Sequence, residues 1–389
     1  MRDLFYLLLR YLLFYRAKII TLSLSLALVA AIPLGLSIIS SVTNEHLQKR
    51  AESTPLLLGA QGSKLDLVMS ALYFSDQELP LMRYQDFETL QESTLTSAIP
   101  LYRKYRVKSS PIVGTTPDYF TFRKLKMQEG RHFVRIGECV LGSDAAKKLG
   151  VSLGDTIISS PDNVFDIAGN YPLKMDIVGI LQPTATADDN AVFTDIKTSW
   201  IIEGLAHGHE KLENDPKSIL KREGETLVAN ASLMQYNYIT SENINSFHFH
   251  GKQSAFPLNA VIILPHDHKS KTILMGRYMS DKPAQMLIEP HKVIRSLIDT
   301  LFDIKNLALV ILMLILAATF AIAVLVFILS IRLRRNELQT MLKIGASPFR
   351  VKMLLLGEIF SVLLIAFLLV SISAVILGML GDKIIYLIL

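Results

Sequence analysis

Six of the nine histidines fall in three His-x-His pairs: His207 with His209, His248 with His250, and His266 with His268. Random placement of that many histidines would give about 0.2 such pairs, so the clustering asks for a chemical reason. On an extended strand, residues i and i+2 share a face, which puts two imidazoles within reach of one ion. Glu210 and Asp267 stand beside the pairs as further ligands or as carboxylates that orient a ligand ring. Zinc fits this donor set best and copper(II) or nickel would use the same atoms, with binding that weakens as pH drops toward the histidine pKa. The pairs lie in separate segments, so only folding could bring them to one ion. Otherwise they are solvent-facing loop histidines, or polar residues satisfied beside Phe247 and Phe249. Asp188, Asp189 and Glu203 read as a solvated acidic loop, and the isolated His132 and His291 as structural histidines.

Other chemistry is missing from the residue pattern. There is no nucleophile elbow, no His-Glu-x-x-His and no GxxxxGK[ST] loop, so no ATPase site of its own is expected in this chain. One cysteine, Cys139, permits neither an intrachain disulfide nor a thiolate cluster.

The elements that would carry the histidines are set by hydropathy and charge. A mean hydropathy of +0.36 with 50% hydrophobic residues is too apolar for a soluble protein, while 19% charged residues is too polar for one wholly in lipid. Three uncharged runs, within 19–42, 307–331 and 353–380, are long enough as helices to span a hydrocarbon core about 30 Å thick. The first is too long for a secretory signal and is read as an uncleaved anchor, kinked at Pro33 and Gly35. The net charge of +5 is concentrated at Arg2, Arg10, Arg16 and Lys18 before the first run and at Arg332, Arg334, Arg335, Lys343, Arg350 and Lys352 after the second. That is a topology signal and not a nucleic-acid surface: both segments are expected in the cytoplasm and residues 43–306 on the far side.

Residues 332–352 form a basic hairpin between the second and third spans. Leu338, Met341, Leu342 and Gly345 share one helical face, with Arg334, Arg335, Glu337 and Lys343 around the remainder. Gly345 suits the left-handed residue that closes a helix, Ser347 an N-cap and Pro348 the first turn of the next helix. Glu358, at the edge of the third span, is expected to snorkel or to pair with Arg350 or Lys352.

The order R-x-R-R-x-E-L-x-x from Arg332 to Thr340, six residues from Met341 to Ala346, then Ser347 and L-L-L-x-E ending at Glu358, resembles the signature of the MacB/LolCDE/FtsX (type VII) ABC-transporter membrane subunits. The segments around Gly130-Arg131, Leu149-Gly150, Gly154-Asp155 and Val178-Gly179-Ile180 resemble the extracytoplasmic domain of the same family. The resemblance implies an integral membrane α-helical protein with three transmembrane helices and a large α+β extracytoplasmic domain of MacB periplasmic-core type. It further implies a base lobe from 43–110 and 256–305 and an inserted lobe over 111–255, while the apolar and aromatic residues with interspersed Arg2, Arg10, Arg16 and Lys18 suit a cytoplasmic interfacial helix over 1–18. Residues 381–389 would be a short tail.

By the same resemblance the chain is a permease subunit of the bacterial inner membrane, with a cytoplasmic N-terminus and a periplasmic domain. ATP would be bound by a separate cytoplasmic ATPase that docks on Arg332, Arg334, Arg335, Glu337, Gly345, Ala346, Ser347 and Pro348. The unit would be a homodimer, or a heterodimer with a second permease, coupling ATP hydrolysis to movement of the periplasmic domain. The histidine pairs suggest zinc or another divalent metal as what the system handles. The alternative is a non-transporting envelope scaffold or a lipoprotein-handling subunit with a periplasmic or lipoprotein partner. Relatives carry a fourth span that this sequence does not show, which a partner would supply, the subfamily would lack, or a truncation would explain.

Two local readings can be made from the residues alone. Ser143–Leu149 reads as a short helix closed by Gly150, followed by a turn at Gly154-Asp155 and a strand over 156–159. Residues 261–264 read as a base strand, and 291–303 as a helix leading to the second span.

Overall fold

A computed structural model describes residues 2–160, 172–208, 219–223, 226–229, 236–280 and 284–388. The chain opens with two helices, α1 (Arg2–Phe14) and α2 (Arg16–Glu52). There follow β1 (Leu56–Ala60), α3 (Lys64–Tyr73), β2 (Met82–Arg83), α4 (Tyr84–Gln91), β3 (Thr96–Val107) and β4 (Ser110–Thr115). Next come α5 (Asp118–Arg123), β5 (Met127–Gly130), β6 (Glu138–Leu141), α6 (Ser143–Leu149), β7 (Thr156–Ile158) and β8 (Lys174–Leu181). β9 (Val192–Asp195), α7 (Ile196–Ile202), β10 (Ala206–Gly208), β11 (Ile219–Glu223), β12 (Thr226–Ala229) and β13 (Phe247–Phe249) continue the chain. The last part holds β14 (Pro257–Leu258), β15 (Ala260–Pro265), α8 (His268–Ser280), β16 (Gln285–Ile288), α9 (Pro290–Leu333), α10 (Arg335–Lys343) and α11 (Pro348–Ile388).

These elements form two compact units, residues 2–46 with 296–388 and residues 47–295. In the helical unit, α2, α9 and α11 are each long and apolar enough to cross a membrane. Ile19, Leu22, Leu26 and Ala27 of α2 pack with Ala323 of α9 and with Val362 and Ala366 of α11. Small residues bring the backbones close: the Ser23 hydroxyl donates to the Val362 carbonyl at 3.2 Å, and Leu8 of α1 fills the space over Gly357 of α11. Most large side chains on α9 and α11 face outward, among them Leu314, Phe360 and Phe367, as lipid-facing helices require. α11 continues in helical form through 381–388, the stretch expected from the sequence to be a tail.

The α/β unit is organised by one mixed sheet in the order β16-β1-β15-β3-β4-β9-β6-β8-β5, with β7 paired to β8. β8 shows why the sequence makes a half-covered strand: Met175, Ile177 and Leu181 are buried while the alternate positions are only partly so. The expected α6 is present over Ser143–Leu149, closed by Gly150, and the expected base strand lies within β15. The helix read over 291–303 is the first part of α9, which does not break before the apolar run.

Two elements of this unit, one on each side of the boundary expected between the base lobe (43–110 and 256–305) and the inserted lobe (111–255), each contribute to both hydrophobic cores. β3 is long enough to serve both halves: Ala98 and Tyr102 pack in one core, Tyr105 and Val107 in the other. α7 does the same, with Ile196 and Trp200 in the first core and Ile201 and Ile202 in the second. Trp200 is fully buried, and its indole N–H donates to the Pro257 carbonyl at 3.0 Å.

Candidate functional site

The histidine cluster is built on a two-stranded ladder. β10 and β13 pair antiparallel with His207 opposite His248, and beyond the strand end the His250 amide donates to the Leu205 carbonyl at 2.9 Å. The alternation Phe247-His248-Phe249-His250 then sorts the side chains by face. Phe247 and Phe249 pack toward the core, Phe249 standing edge-on to Trp200 with centroids 6.5 Å apart. His207, His248 and His250 gather on the other side, with ring centroids 4.5–5.0 Å apart and one ligand nitrogen from each within 4.8 Å of the others. His250 Nε2 lies 3.2 Å from His207 Nδ1. His248 and His250 are exposed and His207 half-buried.

The third pair does not join them. His266 Nδ1 lies 3.1 Å from the Thr94 carbonyl, and His268 opens α8. Asp267, read from the sequence as a further ligand, instead accepts the Ser270 amide at 2.6 Å, a helix-capping bond that holds its carboxyl below the usual range. His209 and Glu210 lie outside the described residues.

Of the acidic residues expected in a solvated loop, Asp188 and Asp189 are buried and Glu203 is half-buried, and all three are partnered. Asp188 receives both Arg50 guanidinium nitrogens, at 2.6 and 2.9 Å, and the Tyr119 hydroxyl at 2.7 Å. Burial pushes the Asp188 carboxyl up, but the charge and hydrogen bonds of Arg50 outweigh it and leave it below its ordinary value. The same burial pushes the Tyr119 phenol up to about 12. Arg50 also donates to the Leu72 carbonyl, so the end of α2 is fastened to α3 and α5. Asp189 accepts the Thr184 and Ala185 amides at 2.9 and 2.7 Å. Glu203 accepts the Tyr102 and Tyr105 hydroxyls, each at 2.6 Å, and Lys104 at 2.7 Å. The sequence offered no signal for the Asp188 and Glu203 pairings because their partners lie far away along the chain.

Among the residues of the basic hairpin, Arg332, Arg335, Glu337, Ser347 and Pro348 are exposed and Ala346 is half-buried. Gly345 has φ +97°, the left-handed region that only glycine enters freely, and it turns the chain between α10 and α11. No residue of α10 is buried, and Leu333, Leu342, Ile344 and Phe349 all stand open around it.

Arg334 differs from its neighbours. It turns inward, 7% exposed, with its guanidinium over the rings of Tyr11 and Tyr15 and 3.2 Å from Glu358. Glu358 pairs with Lys18 and Arg334, not with the expected Arg350 or Lys352. The reason is rotational: Glu358 faces the α2 side of α11, where Ser330, Lys18 and Arg334 converge. The resulting cluster joins α1, α2, α9 and α11 through one buried carboxylate. A lone acid in the third span, and a lysine at the start of the first, were the only hints of it in the sequence.

Residues 19–220, just over half of the chain, match the family model of the MacB-like periplasmic core domain. The chain belongs to this family. Its α/β unit is therefore a MacB-like periplasmic core domain, and with its three apolar helices the protein is a membrane subunit of the type VII ABC-transporter class. Among solved structures, the periplasmic region of MacB from Actinobacillus actinomycetemcomitans aligns with 64% of this chain and 97% of its own, at 12% identity and TM-score 0.36. The extracellular domain of the noncanonic ABC-type transporter YknZ from Gram-positive bacteria aligns with 60% of this chain and 98% of its own, at 11% identity and TM-score 0.32. No curated protein sequence matches.

Proposed function

We propose that this MacB-like subunit couples ATP hydrolysis by a separate cytoplasmic ATPase to movement of its periplasmic domain. The observation that carries the reading is the hairpin: α10 leaves cations and uncovered apolar side chains together on a segment held between two apolar helices. Leu342, Ile344 and Phe349, on the same hairpin as the exposed Arg335, offer apolar anchors together with charge, the composition of a protein-docking patch. The exposed members of the hairpin touch the ATPase in this reading, while Arg334 links the hairpin to α1 and α2 through Glu358. ATP binding then needs only to favour one arrangement of the hairpin over another for the helices to move. The N-terminus and the hairpin lie in the cytoplasm, and the chain works as a dimer in the inner membrane. Two copies of the hairpin engage two ATPases.

The test is reconstitution of the chain with its ATPase in lipid. Ile344→Asp and Arg335→Glu should each reduce stimulation of ATP turnover at least about tenfold, the effect of losing one interfacial anchor, with insertion and folding intact. Normal stimulation in both variants removes the coupling role. A scaffold or lipoprotein-handling role would instead show as retention of an envelope partner with turnover independent of the hairpin. Divalent metal is the cargo or signal that the imidazole cluster favours, and zinc-stimulated turnover is its test.

A further inference from the structure

The coupling reading leaves the β10–β13 face unexplained. Three imidazoles from two strands lie together where none is needed to hold the ladder, because Phe247 and Phe249 anchor it from the opposite side. We propose that His207, His248 and His250 form an exchangeable site for a divalent transition metal, bound through their three neutral imidazoles.

The geometry favours it in three ways. Two nitrogens on one tetrahedral zinc, each about 2.0–2.1 Å from the ion, stand about 3.3–3.4 Å apart. His250 Nε2 and His207 Nδ1 are 3.2 Å apart, close to that spacing, and a nitrogen of the third ring lies within 4.8 Å of them. A carbonyl can only accept, so the 3.1 Å contact of His248 Nδ1 with the Ser246 carbonyl fixes the proton on Nδ1 and orients the ring within the cluster. The three donors come from a backbone-paired register, His207 opposite His248 and His250 two residues on, so the strands themselves set their spacing.

The donor set also selects the ion class. Among the described residues the group contains no thiolate and no carboxylate, which disfavours calcium and magnesium and suits zinc, copper(II) or nickel. Two of the three imidazoles are exposed, so an ion reaches them directly from water. Such a site accepts and releases its ion, as capture or sensing requires. It does not staple the fold. The inference stands apart from ATPase coupling and needs no nucleotide.

The experiment is calorimetric titration of the full-length chain, in detergent micelles and without any ATPase, with zinc chloride. One zinc per chain is expected, with affinity reduced at least about tenfold by each of His207→Ala, His248→Ala and His250→Ala. The double variant H266A/H268A should bind as the parent does, since its histidines lie elsewhere. Equal affinity in the triple variant H207A/H248A/H250A overturns the site, as does an equal loss in H266A/H268A. Circular dichroism melting of the metal-free variants separates loss of ligands from loss of fold. Cobalt(II) added to the unsubstituted chain gives an independent readout: visible bands of a four-coordinate nitrogen-rich site are expected, and an octahedral aquo-like spectrum overturns the proposal.

Discussion

The Arg50–Asp188 network and the β10–β13 histidine cluster are both polar groups gathered from distant parts of the same α/β unit, yet they are finished to different degrees. Arg50 and Asp188 are almost wholly buried, and the bidentate pair is completed by Tyr119 and the Leu72 carbonyl. His248 and His250 stand exposed, and their ring nitrogens converge on one another. A buried charge without partners would cost several kcal/mol, so the first arrangement must be saturated by the protein itself. Imidazoles at the surface remain accessible from water, and that accessibility is what lets an ion reach them. The comparison teaches that buried, charge-paired groups hold this unit together, and that exposed, converging ones are where a ligand can bind.

The contrast can be broken at either end. Asp188→Ala should have the largest effect, lowering stability by about 3–5 kcal/mol because Arg50 is left buried and unpaired; chemical denaturation of the purified chain measures it. A loss below 1 kcal/mol would show that water reaches the network. Next in size is the gain from metal: zinc at about 100 times its Kd should stabilise the unsubstituted chain by about 2.7 kcal/mol and leave H207A/H248A/H250A unmoved. Thermal melting with and without zinc reads both.

Glu138 tests a second saturated carboxylate of the same unit. It receives Arg131 at 2.6 and 2.8 Å, Arg135 at 3.2 Å and the Val134 amide at 2.8 Å. Burial pushes its carboxyl up, but these donors prevail and hold it at about 2. The folded value lies below the unfolded one, so the associated stability is complete above the ordinary carboxylate range and is lost as pH falls toward about 2. Glu138→Gln should cost about 1.5–3 kcal/mol at neutral pH and flatten the acid limb of the stability profile, an outcome checked by denaturation at a series of pH values. An unchanged acid limb would place the acid sensitivity elsewhere. Smallest of all, His250→Ala without metal should shift stability by no more than about 0.5 kcal/mol, as expected of an exposed side chain. A larger loss by the same melting assay would mean the imidazoles already support the fold.

The sequence by itself determined whatever depends on neighbours along the chain. The three apolar helices follow from uncharged runs that need internal hydrogen bonding in lipid. The hairpin turn follows from Gly345 and Pro348, and α6 from its flanking residues. Clustering of histidines was also visible, since it is a matter of counting. What only the tertiary structure decided was partnership. Glu358 chose Lys18, 340 residues away, over the basic residues one or two turns before it, because packing of α2 against α11 fixes which face of the helix carries the acid. Asp188 became a buried anchor through Arg50, 138 residues distant. Three histidines met because β10 and β13 pair in one register, while His266 and His268 were carried elsewhere by β15 and α8. Hydrogen bonds and ion pairs act over a few ångströms of space, and separation along the chain leaves that distance undetermined until the elements pack.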